Sequence, residues 1–150
     1  MIAPEEALEG VRLSPQQKRL WLLQQEEGGA IYRTRATVRI EGPLDTAAFE
    51  KAFEELVERH EILRTSFSCL RGVRLPLQLI RETGGLSFAW RDASDPGMAE
   101  PFDLESGPWL RVVCSTLSPD RHVCRIELPA LCADAGGPAN RTIKAARSGR

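Results

Sequence analysis

The sequence predicts an α+β fold in which two amphipathic helices pack on a mostly antiparallel sheet. Three observations carry that expectation. A capped helix opens at Leu13-Ser14-Pro15-Gln16-Gln17, an amphipathic helix follows Leu44-Asp45, and the chain from there to residue 128 breaks into short strand-forming runs.

The first helix starts at Ser14, whose hydroxyl can accept from the backbone three residues on. Pro15 occupies the first helical position, where its missing N–H costs nothing, and Gln17 closes a capping box. The helix should carry Leu20, Trp21 and Leu23 and stop at Gly28-Gly29. From Tyr32 to Glu41 residues alternate, with Tyr32, Ala36, Val38 and Ile40 on one face and Arg33, Arg35, Thr37 and Arg39 on the other, as in a half-buried strand. Gly42-Pro43 punctuates. Asp45 then caps a second helix, and Leu44 before it can staple onto Phe49. In that helix Phe49, Ala52, Phe53, Leu56 and Val57 form one stripe, Glu50, Lys51, Glu54, Glu55 and Glu58 fill the rest, and His60 falls near its end.

Strands are expected at about 63–69, 75–80, 86–90, 109–117 and 121–128, the last two joined as a hairpin through Ser118-Pro119-Asp120. The stretch 92–107, rich in Pro, Gly, Asp and Ser, reads as a loop. After Asp134, Gly136-Gly137-Pro138 breaks the pattern. Residues 1–137 are thus expected to form one folded unit, and residues 138–150 a basic, flexible tail carrying Arg141, Lys144, Arg147 and Arg150.

A chain of 150 residues, 42% hydrophobic and 27% charged, suits one globular domain or part of one. The net charge is −1, with four positive charges in the tail and −5 in the rest, so nucleic-acid binding is not expected. Cys69, Cys114, Cys124 and Cys132 form no CxxC pair and the chain has two histidines, which argues against a metal site. The N-terminus lacks a signal-peptide pattern and no apolar run approaches a membrane span. A reducing cytoplasm with free thiols is the expectation.

Several stretches, taken in order, resemble the N-terminal half of the condensation domains of nonribosomal peptide synthetases. The segment from Leu13 through Arg19-Leu20-Trp21 looks like the family's first signature. Arg59-His60-Glu61-Ile62-Leu63-Arg64-Thr65-Ser66-Phe67 matches the second, RHExLRTxF, at every fixed position. Glu41-Gly42-Pro43-Leu44-Asp45, Pro101-Phe102-Asp103-Leu104 and Gly107-Pro108 add support, and the resemblance covers roughly residues 11–137. It implies the N-terminal lobe of a chloramphenicol-acetyltransferase-like fold, in which two lobes enclose a tunnel that receives two carrier-protein arms.

The third signature, HHxxxDG, aligns with Pro129-Ala130-Leu131-Cys132-Ala133-Asp134-Ala135, so Pro129 and Ala130 replace both histidines. In the family the second histidine acts at the peptide-forming centre, a role that needs a group able to donate and accept a proton near neutral pH. Ala130 can do neither. The resemblance also implies a structural ion pair between Arg64 and Asp134.

The remaining polar candidates have plainer readings. His60 should meet the last carbonyls of the second helix. His122 reads as a surface or partly buried strand residue. Cys132 lacks an activating neighbour in sequence and reads as a buried, inert thiol. Phe49, Phe53 and Phe67 read as core. The expected function is a non-catalytic half-domain acting as an interaction or recruitment module in nonribosomal peptide biosynthesis, with no cofactor and no metal. Its expected partners are a carrier protein, a neighbouring synthetase module or a tailoring enzyme, with self-association as a further way to cover the lone lobe. The alternative is a fragment of a functional peptide-bond-forming condensation domain whose remaining lobe is absent from this chain.

Overall fold

The structure is a computed structural model, and it describes residues 10–27, 32–92, 94 and 101–133. The expected helix stop at Gly28-Gly29, the 93–100 part of the loop apart from Ser94, Asp134 and the basic tail lie outside the described residues. Helix α1 runs Pro15–Glu26, and both halves of the Ser14/Gln17 capping box are present. Strand β1 is Arg33–Glu41. Helix α2 runs Thr46–Arg59 with Asp45 accepting from the Ala48 N–H at 3.1 Å. A 3-10 turn at Glu61–Arg64 leads into β2, Thr65–Ser68. Then come β3 Leu77–Ile80, β4 Leu86–Trp90, β5 Leu110–Ser118 and β6 Arg121–Pro129, and a second 3-10 turn at Ala130–Cys132.

Two corrections to the expected strands have local causes. The run expected to begin at 63 is helical until Arg64, because Leu63 N–H closes on His60 C=O at 3.0 Å and Thr65 Oγ1 donates to Glu61 C=O at 2.7 Å. The run from 75 starts pairing only at Leu77, after Pro76, which has no N–H to give a ladder.

The strands form two sheets. One is four-stranded in the order β1-β6-β5-β4, and the other is the β2–β3 pair. All pairings are antiparallel except β4 with β5, so the mostly antiparallel expectation holds with one parallel edge strand. Gly85 fixes the approach to β4. Its φ is +103°, its carbonyl accepts from Trp109 and Leu110 N–H at 3.1 and 2.8 Å, and a Cβ there would lie 2.2 Å from Leu63 O. Only glycine fits.

The core has two parts. Beneath α2, one face of the large sheet contributes Val38, Ile40, Leu110, Val112, Cys114 and Cys124, with Phe49, Phe53, Phe88 and Trp90 packed against them. Cys114 and Cys124 face each other in register, with Cα atoms 4.1 Å apart, and are joined as a disulfide. That corrects the expectation of four free thiols: closing the hairpin places these two side chains on the same face at directly opposed positions, while Cys69 and Cys132 remain free. The second part, Phe67, Leu104, Trp109, Leu131 and Cys132, lies under α1 and is flanked by Leu13, Leu20 and Trp21. Phe102 and Leu104 of the expected loop are 3% and 7% exposed, so these two positions of an otherwise exposed irregular stretch, 101–106, supply core.

Candidate functional site

The turn that carries Ala130 is held by backbone and amide hydrogen bonds. Pro129 ends β6 and is fully buried. Ala130 N–H donates to Tyr32 C=O at 2.7 Å, and Ala133 N–H donates back to Ala130 C=O at 3.1 Å. From α1, Gln17 Nε2 donates to Leu131 C=O at 3.1 Å and to Gln78 Oε1 at 3.1 Å. Gln78 Nε2 returns a bond to Gln17 Oε1 at 3.2 Å and bonds Arg12 C=O at 3.0 Å. The residue that closes the capping box therefore also clamps the third-signature turn.

Between α1, this turn and β3 lies an open cleft of about 790 Å³, walled by Gln17, Leu20 and Leu23 of α1, by Ile62 and Gln78, and by Ala130 to Ala133. Position 130 thus faces a space large enough for a substrate chain. Among the described residues its ionisable lining groups are Arg19 and Cys132. Burial pushes the Cys132 thiol up to about 12, so it stays protonated at neutral pH and is a poor nucleophile, as expected of an inert thiol. The cleft can position a substrate through amide, carbonyl and apolar contacts. At position 130 it offers nothing that moves a proton.

Arg64 lies away from this cleft, lining a second groove with Glu54, Glu58 and Glu82. Its guanidinium donates to Val57, Arg81 and Glu58 C=O at 3.1, 2.6 and 3.1 Å. Two of these carbonyls are the free C-terminal carbonyls of α2, so Arg64 fills the helix-end role expected of His60. His60 is the C-cap, and its contribution is its backbone N–H to Leu56 C=O at 3.1 Å. The expected partner Asp134 lies outside the described residues, so the ion pair stays an expectation.

His122 is only 5% exposed, more buried than expected, because even-numbered residues of β6 face α2. Its Nδ1 lies 3.1 Å from Thr116 Oγ1 and its ring meets Trp90 edge-on. Trp21 anchors α1 by donating from Nε1 to Arg74 C=O at 3.2 Å. Glu127 went unrecognised in the sequence. It is fully buried at the centre of the other sheet face, accepting from Arg35 Nε at 2.7 Å with Arg33 3.6 Å from its second oxygen. The signal was available, since Arg33 and Arg35 stand on the polar face of β1 and Glu127 pairs opposite Arg35. Among the described residues no group of His, Cys, Asp and Glu is placed to hold a metal ion, and no helix is long and apolar enough to cross a membrane.

The open four-stranded sheet, with its flanking helices and the turn at Ala130–Cys132, has the architecture of one lobe of a mixed α+β condensation fold. The condensation domain family model matches residues 8–135, and the chain belongs to that family, as the N-terminal part of a domain homologous to those of nonribosomal peptide synthetases. It is 36% identical over 130 residues to gramicidin S synthase 2 of Brevibacillus brevis, covering 81% of this chain and 3% of that protein. The condensation domain of the monacolin K polyketide synthase MokA superimposes with a TM-score of 0.69 at 21% identity, over 79% of this chain and 29% of that one. The X-domain in its complex with OxyB from teicoplanin biosynthesis gives 0.63 at 27% identity, over 86% of this chain and 29% of that one. The chain therefore spans about a third or less of each related chain.

Proposed function

We propose that this chain is the first lobe of a peptide-bond-forming condensation domain in a nonribosomal peptide synthetase, working on carrier-bound substrates once a second lobe completes its cleft. The observation that supports the reading is the open 790 Å³ cleft with the third-signature turn, at Ala130, on its wall. The curated relatives it aligns with are peptide synthetases. With alanine at 130 the completed cleft acts by holding donor and acceptor together, because approximation alone lowers a barrier substantially without any proton transfer. No cofactor enters this reading.

A second reading has its own supporting observation. Pro129 and Ala130 carry no ionisable side chain, and the X-domain relative is described in complex with OxyB. On that reading the lobe recruits a carrier protein, a neighbouring module or a tailoring enzyme and forms no bond. Arg64, bonded to three backbone carbonyls, is structural in both. The test is to mix the chain with the second lobe of a homologous condensation domain and with charged donor and acceptor carrier proteins. Dipeptide product above that of either lobe alone supports the first reading, whereas carrier binding without product supports the second.

A further inference from the structure

The sheet face turned away from α2 is an arginine surface. The register places Arg35 opposite Glu127, Thr37 opposite Arg125, Arg39 opposite Val123 and Glu41 opposite Arg121, all on this face. Arg35, Arg125, Arg39 and Arg121 are exposed. They occupy four successive levels along the strands and alternate between β1 and β6, so along the strand axis one arginine follows another every ~6.8 Å over about 20 Å, stepping ~4.8 Å from side to side between the two strands. Among the described residues no carboxylate lies within ion-pair distance of Arg39 or Arg121.

We propose that this zigzag docks an extended acidic segment of a partner protein, one with a carboxylate at alternate positions. An extended chain puts side chains i and i+2 on the same side ~6.8 Å apart, which is the axial step between these arginines, and long arginine side chains can reach across the ~4.8 Å between the strands. The face already shows the contact it favours, since Arg35 donates from Nε to the Glu127 carboxylate at 2.7 Å. Every cation in the row is arginine, whose planar fork suits carboxylates better than the point charge of lysine. A nucleic acid fits less well. The aromatic ring on this side, Phe102, is 3% exposed and covered by Arg111 at 4.0 Å, leaving no platform for bases, and the chain's net charge is −1. This proposal does not depend on whether the cleft forms peptide bonds.

The probe is a fluorescein-labelled peptide of alternating Glu and Thr, followed by anisotropy with the full chain. We expect binding that weakens as salt rises and falls by about tenfold in the Arg39→Ala/Arg121→Ala variant, while Arg71→Ala/Arg74→Ala, changed at exposed arginines in the β2–β3 connection, binds as the parent does. Both target positions are exposed, and a thermal melt checks that each variant folds. A peptide of the same composition with its glutamates in one block should bind more weakly. Equal binding by parent and Arg39→Ala/Arg121→Ala overturns the proposal. Tighter binding of a single-stranded RNA of equal charge overturns it in favour of nucleic acid. Concentration-dependent sedimentation of the chain alone, abolished by the same double variant, overturns it in favour of a second copy.

Discussion

Gln17 in α1 and Gln78 in β3, 61 positions apart, form a reciprocal amide pair with bonds of 3.1 and 3.2 Å. With Ser14 N–H and Leu131 C=O as its other partners, the Gln17 amide has all four hydrogen-bonding positions filled. The pair ties the first-signature helix to the third-signature turn, so the wall of the cleft depends on two side chains that perform no chemistry.

Removing one member should strand the other. Gln17→Ala leaves the buried Gln78 amide and Leu131 C=O short of partners, at a cost of about 1–3 kcal/mol. In urea unfolding the Gln17→Ala/Gln78→Ala cycle should show a coupling of about 0.5–3 kcal/mol. Strict additivity would mean the pair does not act as a unit.

The buried carboxylate on the opposite face should respond asymmetrically. Arg35→Ala leaves Glu127 fully buried with Arg33 at 3.6 Å as its remaining described ion-pair partner, and should cost roughly 1.5–3 kcal/mol. Glu127→Leu should cost less, because an apolar side chain needs no partner in that position and the two arginines can turn to water. Chemical denaturation of both variants gives the order, and the reverse order would contradict the account.

Thiol labelling should separate the cysteines in three steps. Without reductant, iodoacetamide should modify exposed Cys69 in the folded chain, Cys69 and Cys132 in denaturant, and all four only after reduction. Reduction should also lower stability by about 2–3 kcal/mol through the lost cross-link between β5 and β6. Four labels in denaturant without reductant would show that Cys114 and Cys124 are not joined.

Alkaline pH should weaken the fold through Cys132. Its thiol rises from 9.0 to about 12 by burial, so the unfolded chain releases this proton first. The folded state's advantage is complete below the unfolded value and is lost as pH climbs toward the folded one. In a Cys69→Ser background, which removes the exposed thiol, stability should fall more between about pH 8 and about pH 10.5 with Cys132 present than with Cys132→Val. Parallel losses would place the thiol in a water-like environment.

Much of this lobe was legible because its boundaries are written in local chemistry. Ser14 with Gln17, and Asp45, mark the helix starts with side chains that bond the backbone there, and the alternation in β1 names its buried face. Leu63 departs from the strand expectation because a short apolar run suits a strand or a 3-10 turn equally until the His60 carbonyl finds its donor. Phe102 and Leu104 were missed as core because their burial comes from packing on Trp109 and the arginines of the sheet, with no period to announce it. The disulfide could have been found: Cys114 and Cys124 are equidistant from Pro119 at the centre of the expected turn. The parallel pairing of β4 with β5 and the Gln17–Gln78 clamp are relations between distant segments, which no window along the chain contains. At the site, the absence of an ionisable side chain at Pro129 and Ala130 was plain in the sequence, while the cleft beside Ala130 needed the fold.

On the proposed reading, this lobe and a second one together wall a condensation cleft in which position 130 carries no ionisable group. The most direct test compares the parent chain with Ala130→His, each completed by a homologous second lobe, in single-turnover peptide formation from charged carrier proteins. The account predicts slow product with the parent and a rise of about 10²-fold or more with Ala130→His, the range a positioned acid–base group contributes. Equal rates for the two, or a parent already as fast as the histidine variant, would contradict it.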